Sequence, residues 1–309
     1  MFLSHRSETE ARINHVIETI RVEDKLPQVT ILLAVYNSES LLERTLSSIE
    51  SQTFTDFVCL IADDVSSDNS LVVARNFANR DPRFQVYQNK ENLGWIGNVN
   101  GLLRRVETPY YMIMPHDDAM APTCLELTVE ALRAHPNAVV AFSDVDFHFE
   151  NEVVETRTYE VPLDTDSVIQ RGYRFLSGGG YWWIPYHGLV NNWHSGGELR
   201  LRHSMAGEVF ADMPWVFNLA LRGPFVRVPG VHFFKYIYDE SVSHNWNYGL
   251  WQRLASVFSC MRCLLDSPVG IFQKVALLAV LTLKVVGPFV FLIKRFILRL
   301  VGKKDFQHG

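Results

Sequence analysis

The chain has 309 residues, 48% of them hydrophobic and 12% aromatic, which excludes a disordered chain and allows a sizeable core in one large domain or two small ones. Its formal charge of −5 lacks the basic balance with which proteins grip nucleic acid, and no nucleic-acid partner is expected. That charge is uneven. Within residues 269–304 the charged side chains are Lys274, Lys284, Lys294, Arg295, Arg299, Lys303 and Lys304, all cationic, so the remainder of the chain carries −12.

Residues 1–26 are polar, with Ile13, Val16, Ile17 and Ile20 at helical spacing, and predict an N-terminal helical arm that Pro27 ends. No apolar central run interrupts the charges of that stretch, so no secretory signal is expected and the protein reads as cytoplasmic. Residues 29–35 form a continuous apolar run of strand length, the mark of a central parallel strand covered on both faces. Asn37 or Ser38 then caps a helix to about Ser51, buried through Leu41, Leu42, Leu46 and Ile49. A second buried strand, 57–62, runs into Asp63-Asp64, and Ser66, Ser67 and Asp68 offer caps for a helix carrying Leu71, Val72, Ala74 and Phe77. A short strand at 84–87, a turn at Asn92-Leu93-Gly94 and a helix over 95–105 follow. Residues 110–114 make a fourth strand that stops at Pro115-His116-Asp117-Asp118. Pro122 opens a helix to about His135, and 138–149 is a long strand.

Alternating strands and helices, with acids at the carboxyl ends of strands, predict an open, mostly parallel α/β sheet flanked by helices. Such a sheet takes its ligand in the crevice beyond those ends. Asp63, Asp64, Asp117 and Asp118 all fall there, as hard oxygen donors suited to a divalent cation and a phosphate. Past residue 150 the pattern changes. Residues 177–183 and 191–197 are loop-like and rich in Gly, Trp, His and Asn. A helix over 208–221, short strands at 225–228 and 232–238 and a helix over 248–265 are predicted.

Residues 29–37 (VTILLAVYN), 46–54 (LSSIESQTF) and 61–68 (IADDVSSD), followed by Asn92-Leu93-Gly94 and the acid pair at fitting spacing, resemble the N-terminal half of the family 2 inverting glycosyltransferases. The resemblance is strong over residues 28–150 and looser over 150–250. It implies a GT-A type fold with a nucleotide-sugar donor, most readily a UDP-sugar, held by residues 27–150. Residues 151–265, the other half of the same domain, would meet a glycan or lipid-linked acceptor of envelope polysaccharide synthesis. By the same resemblance Tyr36 flanks the base. Asp63, with Asp64 beside it, accepts from a base N–H. Asp117, the last acid of a D-x-D motif, holds Mg²⁺ or Mn²⁺ on the two phosphates. Asp118 assists there or caps the next segment. The first acid of D-x-D is replaced by Pro115, so the ribose contact passes to another group, His116 being the candidate. The general base that takes the acceptor's hydroxyl proton is an acid opening an acceptor-side helix; this is Asp212, with Glu208 in reserve. His244 lies where some relatives place a phosphate or metal contact, and reads equally as a surface or core histidine. Trp182, Trp183, Trp193 and Trp215 suit either a sugar face or the core.

Two other readings stay open at this point. A nucleotidyltransferase also uses strand-end acids and Mg²⁺, but with a Gly-rich, basic phosphate loop that residues 34–38 lack. The lost D-x-D acid also suits a non-catalytic, membrane-associated protein that keeps the fold. The tail, 266–309, is apolar over 275–293 except at Thr282 and Lys284. Lys284 at mid-bilayer would cost roughly 2.5–3.5 kcal/mol. Lys274, Lys284, Arg295 and Arg299 share one side of a helix. An amphipathic helix or helical hairpin on the inner face of the cytoplasmic membrane is therefore preferred to a single span or a helix packed on the body. Cys59 in a strand pattern, and Cys260 with Cys263 as a lone C-x-x-C on a helix, read as buried thiols.

Overall fold

The structure, a computed structural model, describes residues 26–149, 152–178, 181–195, 200–205, 207–238 and 249–302. Residues 1–25 of the predicted arm and His244 lie outside the described residues. The described strands are β1 (Val29–Val35), β2 (Phe57–Asp63), β3 (Phe84–Gln88), β4 (Tyr110–Met114), β5 (Ala119–Met120), β6 (Val140–Phe149), β7 (Glu152–Arg157), β8 (Leu189–Asn191) and β9 (Phe225–Ile237). They form one mixed sheet in the order β3-β2-β1-β4-β8-β6-β9-β5, with β7 paired to the far part of β6. The pairings of β1 with β2 and β4, β2 with β3, and β6 with β9 are parallel, and β7 runs antiparallel to β6. The antiparallel pairings of β8 and β5 hold two residue pairs each.

The first half follows its hydrophobic pattern. Every residue of β1 except Ala34 is buried, because helices cover both faces of a central strand. Helix α1 (Glu39–Glu50) buries Leu42, Thr45, Leu46 and Ile49, while Leu41 is only half-buried. Helix α2 (Ser70–Arg80) starts later than its serines suggest, and Val72 faces solvent while Ala74 and Phe77 enter the core. Its cap is Asp68, whose Oδ1 accepts from Ser70 N–H at 3.0 Å and whose Oδ2 accepts from Glu39 N–H at 2.9 Å, so one acid serves the starts of two helices. Helices α3 (Gly94–Leu103) and α4 (Cys124–Ala134) complete this half. Gln52 is 3% exposed and joins the end of α1 to the start of α4: its amide donates to Ala121 O at 2.8 Å and accepts from Leu125 N–H at 3.0 Å.

The second half departs from expectation in three places. Residues 189–191, inside a stretch that reads as loop, form β8 and fill the gap between β4 and β6. The two strands expected at 225–228 and 232–238 are one, β9, with an irregularity opposite Asp144. Pro229-Gly230 looks like a break in sequence. Gly230 takes a φ of +99° that a side chain would resist, and its N–H donates to Asp144 Oδ2 at 3.2 Å. Arg227 clamps the same carboxylate through two hydrogen bonds of 2.8 Å. Helix α5 (Val168–Ser177), absent from the sequence reading, is capped by Ser167. Short helices α6 (Trp183–Tyr186) and α7 (Asn192–Ser195) lead to α8 (Asp212–Arg222), which starts four residues later than expected. Buried Arg171 of α5 donates to Ala220 O of α8 at 2.7 Å. Helix α9 (Leu250–Asp266) buries Cys260 and Cys263, and all four cysteines are free buried thiols.

Helix α10 (Ile271–Gly302) packs one face on the body. Leu277 and Leu281 are fully buried, and a Cβ on Gly172 would come within 2.7 Å of a Leu277 methyl, so α5 lets the tail approach only where it carries glycine. The other face leaves Ile271, Phe272, Val275, Leu283 and Val286 exposed.

Candidate active site

The carboxyl ends of β2, β1 and β4 are level, since Val35 pairs with Asp63 and Leu33 with Met114. Acids at the ends of β2 and β4 therefore open on one edge, two strand spacings or about 10 Å apart. The non-glycine residues with left-handed φ gather at these junctions: Asn37 after β1, Val65 after the first acid pair, and Phe210 just before α8. A branched or aromatic residue there is strained, and such strain collects where loops must hold a set shape. Asn37 contributes by accepting from Ser67 N–H at 2.8 Å, which ties the loop after β1 to the loop after β2.

The two acids of the first pair do different things. Asp64 is engaged: it accepts from Asn89 Nδ2 at 2.7 Å and from Leu93 N–H at 2.9 Å, and so pins the Asn92-Leu93-Gly94 turn. Asp63 is fully buried, yet its Oδ1 has no hydrogen-bond partner among the described residues. Its Oδ2 takes only long bonds, from Ser66 N–H at 3.3 Å and Gln88 Nε2 at 3.5 Å. A buried carboxylate oxygen left vacant at a cleft is the mark of an absent N–H or O–H donor. Tyr36, 49% exposed, stands at the same mouth.

The second pair is held from below by α1. Thr45 Oγ1 shares its hydrogen between His116 O at 2.8 Å and Asp118 O at 2.7 Å, and Arg44 Nη2 donates to Asp117 O at 2.8 Å. Asp118 is fully buried; Oδ1 accepts from Tyr236 N–H at 3.1 Å and Oδ2 lies 3.5 Å from Lys235 Nζ. Burial pushes its carboxyl up to about 7 against the pull of Lys235. Asp117 and His116 are half-buried, and Asp117 Oδ2 accepts from Tyr238 Oη at 2.5 Å. Burial opposes charge on Asp117, but Lys235, His116 and the Tyr238 hydroxyl outweigh it and hold its pKa below the usual carboxylate range. Lys235 likewise loses to burial and gains more from Asp118, Asp117 and Asp212, which raise its pKa.

Asp212 is the first residue of α8, and its charge is among those that raise the pKa of Lys235. Its Oδ1 accepts from Met213 N–H at 2.9 Å and its Oδ2 from Trp182 Nε1 at 3.2 Å. Burial lifts its carboxyl to about 6 in spite of both bonds. Trp182 also packs edge-on against Phe210, so the strained residue backs the indole that donates to Asp212. Glu208, the reserve candidate, is tied elsewhere: Oε1 accepts from Ile96 N–H at 3.2 Å at the start of α3, where an acid complements the helix dipole. Trp215 is core, Trp183 packs edge-on against Phe147, and Trp193 is exposed.

Lys235, Tyr238 and Arg44 were not anticipated as parts of this site, and Trp182, which reads as a sugar face or core, donates to Asp212. The available signal was one lysine inside the aromatic run of residues 233–238. As a cage for a divalent ion the described residues are poor. Among them no three His, Cys, Asp or Glu side chains gather to hold a metal. Asp118 has both oxygens occupied, Asp117 shares one with Tyr238, and Pro115 offers none.

Comparison with known proteins bears on the family and the fold. The model of the family "Glycosyl transferase family 2" matches residues 30–201. An uncharacterized glycosyltransferase of Haemophilus influenzae is 27% identical over 129 residues, 42% of this chain and 40% of that protein. The GalNAc(5)-diNAcBac-PP-undecaprenol beta-1,3-glucosyltransferase of Campylobacter jejuni is 26% identical over 106 residues, 34% of each chain. The matched stretches thus span well under half the length of these curated relatives. Among solved structures, S. aureus TarS 1-349 in complex with UDP-GlcNAc superposes with a TM-score of 0.63 at 13% identity, over 83% of this chain and 72% of that one. At that identity the likeness speaks for the fold, a GT-A type α/β sheet.

Proposed function

The chain belongs to glycosyl transferase family 2, and on that premise we propose that it moves a sugar from a nucleoside-diphosphate sugar, a UDP-sugar above all, to a glycan or lipid-linked acceptor with inversion at the anomeric carbon. The observation that supports this reading is the buried Asp63 Oδ1, without a hydrogen-bond partner among the described residues, at the carboxyl edge shared with the strand that leads to the second acid pair. A base N–H supplies the missing donor to that oxygen, with Tyr36 along the face of the ring and His116 toward the ribose. The diphosphate then lies over the end of β4. Asp212, braced by Trp182 and Met213, faces the acceptor hydroxyl and takes its proton as the oxygen attacks C1 from the side opposite the diphosphate. The C1–O bond to the diphosphate breaks and its electron pair leaves with the nucleotide.

Mg²⁺ or Mn²⁺ is the one expected component for which the described residues form no cage, and no step here passes through it. The lipid-linked acceptor named for the C. jejuni relative supports an acceptor of that kind at a membrane surface. A screen of UDP-, GDP-, CDP- and dTDP-sugars by thermal shift and by release of nucleoside diphosphate tests the donor. UDP-sugars should raise Tm and be turned over in the presence of acceptor glycolipid. Stabilisation by a different nucleotide would replace the base, and no response to any of them would leave the non-catalytic reading standing.

Among the described residues no helix is long and apolar enough to cross a membrane. The exposed face of α10, with Lys274 and Lys284 on the same helix, supports an interfacial role at the inner face of the cytoplasmic membrane. The protein is expected to co-float with phosphatidylglycerol vesicles and to ignore phosphatidylcholine ones. Phe272→Glu should weaken flotation by about tenfold or more, since the ring's burial contributes roughly 2 kcal/mol. Recovery of the wild-type protein in the pellet with anionic vesicles would remove the membrane from this reading.

A further inference from the structure

The second acid pair has a cation beside it, and that cation belongs to the protein. Lys235 Nζ lies 3.5 Å from Asp118 Oδ2, and the charges of Asp117 and Asp212 act on it as well. Its side chain is 26% exposed, whereas that of Asp118 is fully buried. The wall on that side is rigid. His187, buried and kept neutral by burial and by Lys235, stacks on Phe233 at 4.8 Å, and Tyr236 is sandwiched between His148 and the Arg44 guanidinium, the latter 3.4 Å from the ring centre. Arg44 adds a second positive group behind Asp117. A divalent ion brought to Asp117 would compete with Tyr238 for a carboxylate oxygen and would stand in the field of an ammonium, while Pro115 withholds the carboxylate that the D-x-D pattern supplies.

We propose that Lys235 is the resident cation of the donor site, its ammonium facing the diphosphate of the bound nucleotide sugar and stabilising the leaving group, so that no divalent ion is needed for that charge. The inference rests on the nucleotide-sugar reading above. In the step itself the C1–O bond to the β-phosphate breaks with its electron pair going to the phosphate oxygen. The acceptor O–C1 bond forms, and the acceptor proton passes to Asp212. Lys235 keeps its proton throughout and acts by charge and hydrogen bonding, which grow stronger as the diphosphate gains negative charge. A buried Asp118 serves to aim the ammonium and to keep it protonated.

The test is calorimetric titration of the full chain with UDP, in excess EDTA and in Mn²⁺, alongside UDP release from UDP-GlcNAc in both buffers. The wild type should bind UDP equally in the two, within about threefold, and turn over in EDTA. Lys235→Met should weaken UDP about tenfold or more, as expected for loss of a charge-assisted contact, and Lys235→Arg should recover most of it. UDP binding by the wild type that vanishes in EDTA and returns with Mn²⁺ would overturn the proposal in favour of a metal, whatever the variants do. Unchanged UDP affinity in a folded Lys235→Met would reduce Lys235 to a counter-ion of Asp118. Failure of UDP, GDP, CDP and dTDP alike to bind in either buffer would sink the donor reading and this inference with it.

Discussion

Replacing Asp212 with asparagine is expected to lower the rate of sugar transfer by about a thousandfold, while nucleotide affinity stays within about twofold. The amide keeps the size of the carboxylate and still accepts from Met213 N–H or Trp182 Nε1, though not from both, so α8 should keep its first turn. What it loses is the capacity to take a proton from the acceptor. The wild-type carboxyl, lifted to about 6 by burial, also sets a pH dependence. Below pH 6 the group is protonated and cannot act as a base, so kcat/KM should rise as pH increases through about 6 and level off above it. Trp182→Phe removes a hydrogen bond that favours the charged form, and should move that limb to higher pH. Transfer by Asp212→Asn within tenfold of the wild type would show that another group takes the proton. Glu208 is an unpromising substitute, because its oxygen already accepts from Ile96 N–H.

The neighbours Asp63 and Asp64 should separate binding from stability. Asp64→Ala strips the partner from Leu93 N–H and Asn89 Nδ2 in a buried setting, which costs about 3 kcal/mol and lowers Tm by roughly 5–10 °C. Asp63→Ala gives up only bonds of 3.3 and 3.5 Å within the protein, so Tm should move by no more than about 2 °C. Its Oδ1, however, is the oxygen proposed above to accept from the base, and on that reading its loss should weaken UDP by about 10–100-fold, the worth of a hydrogen bond to a charged acceptor. Thermal melts and UDP titrations of the two variants give the answer. Equal losses of Tm with UDP affinity untouched would mean that Asp63 is scaffold like its neighbour.

Much of the first half was legible in sequence, because its information is local. Uninterrupted apolar runs at 29–35, 57–62 and 110–114 are buried on both faces and became β1, β2 and β4 within one residue of the expected bounds. Acids directly after such runs lie at the ligand edge of a parallel sheet wherever the rest of the chain goes. Helix starts were only partly legible: Ser38 does not cap α1 through its own side chain, its Oγ donating to Tyr36 O, whereas Asp68, one of the expected caps, and Glu39 exchange caps between two helices.

The sequence by itself determined the alternation of strands and helices, the edge at which the acids open, and the cationic apolar tail. Each of these depends on residues a few positions apart. Tertiary structure alone decided that β8 enters the sheet between β4 and β6, and that Asp144 holds the Gly230 irregularity from 86 positions away. It also decided that Glu208 serves the start of α3 across 112 positions, and that Lys235 meets Asp118 across 117. Periodicity encodes which face of an element is buried, but the partner a polar side chain meets across a sheet is set by strand order and register. Those depend on the energy of the whole packed molecule.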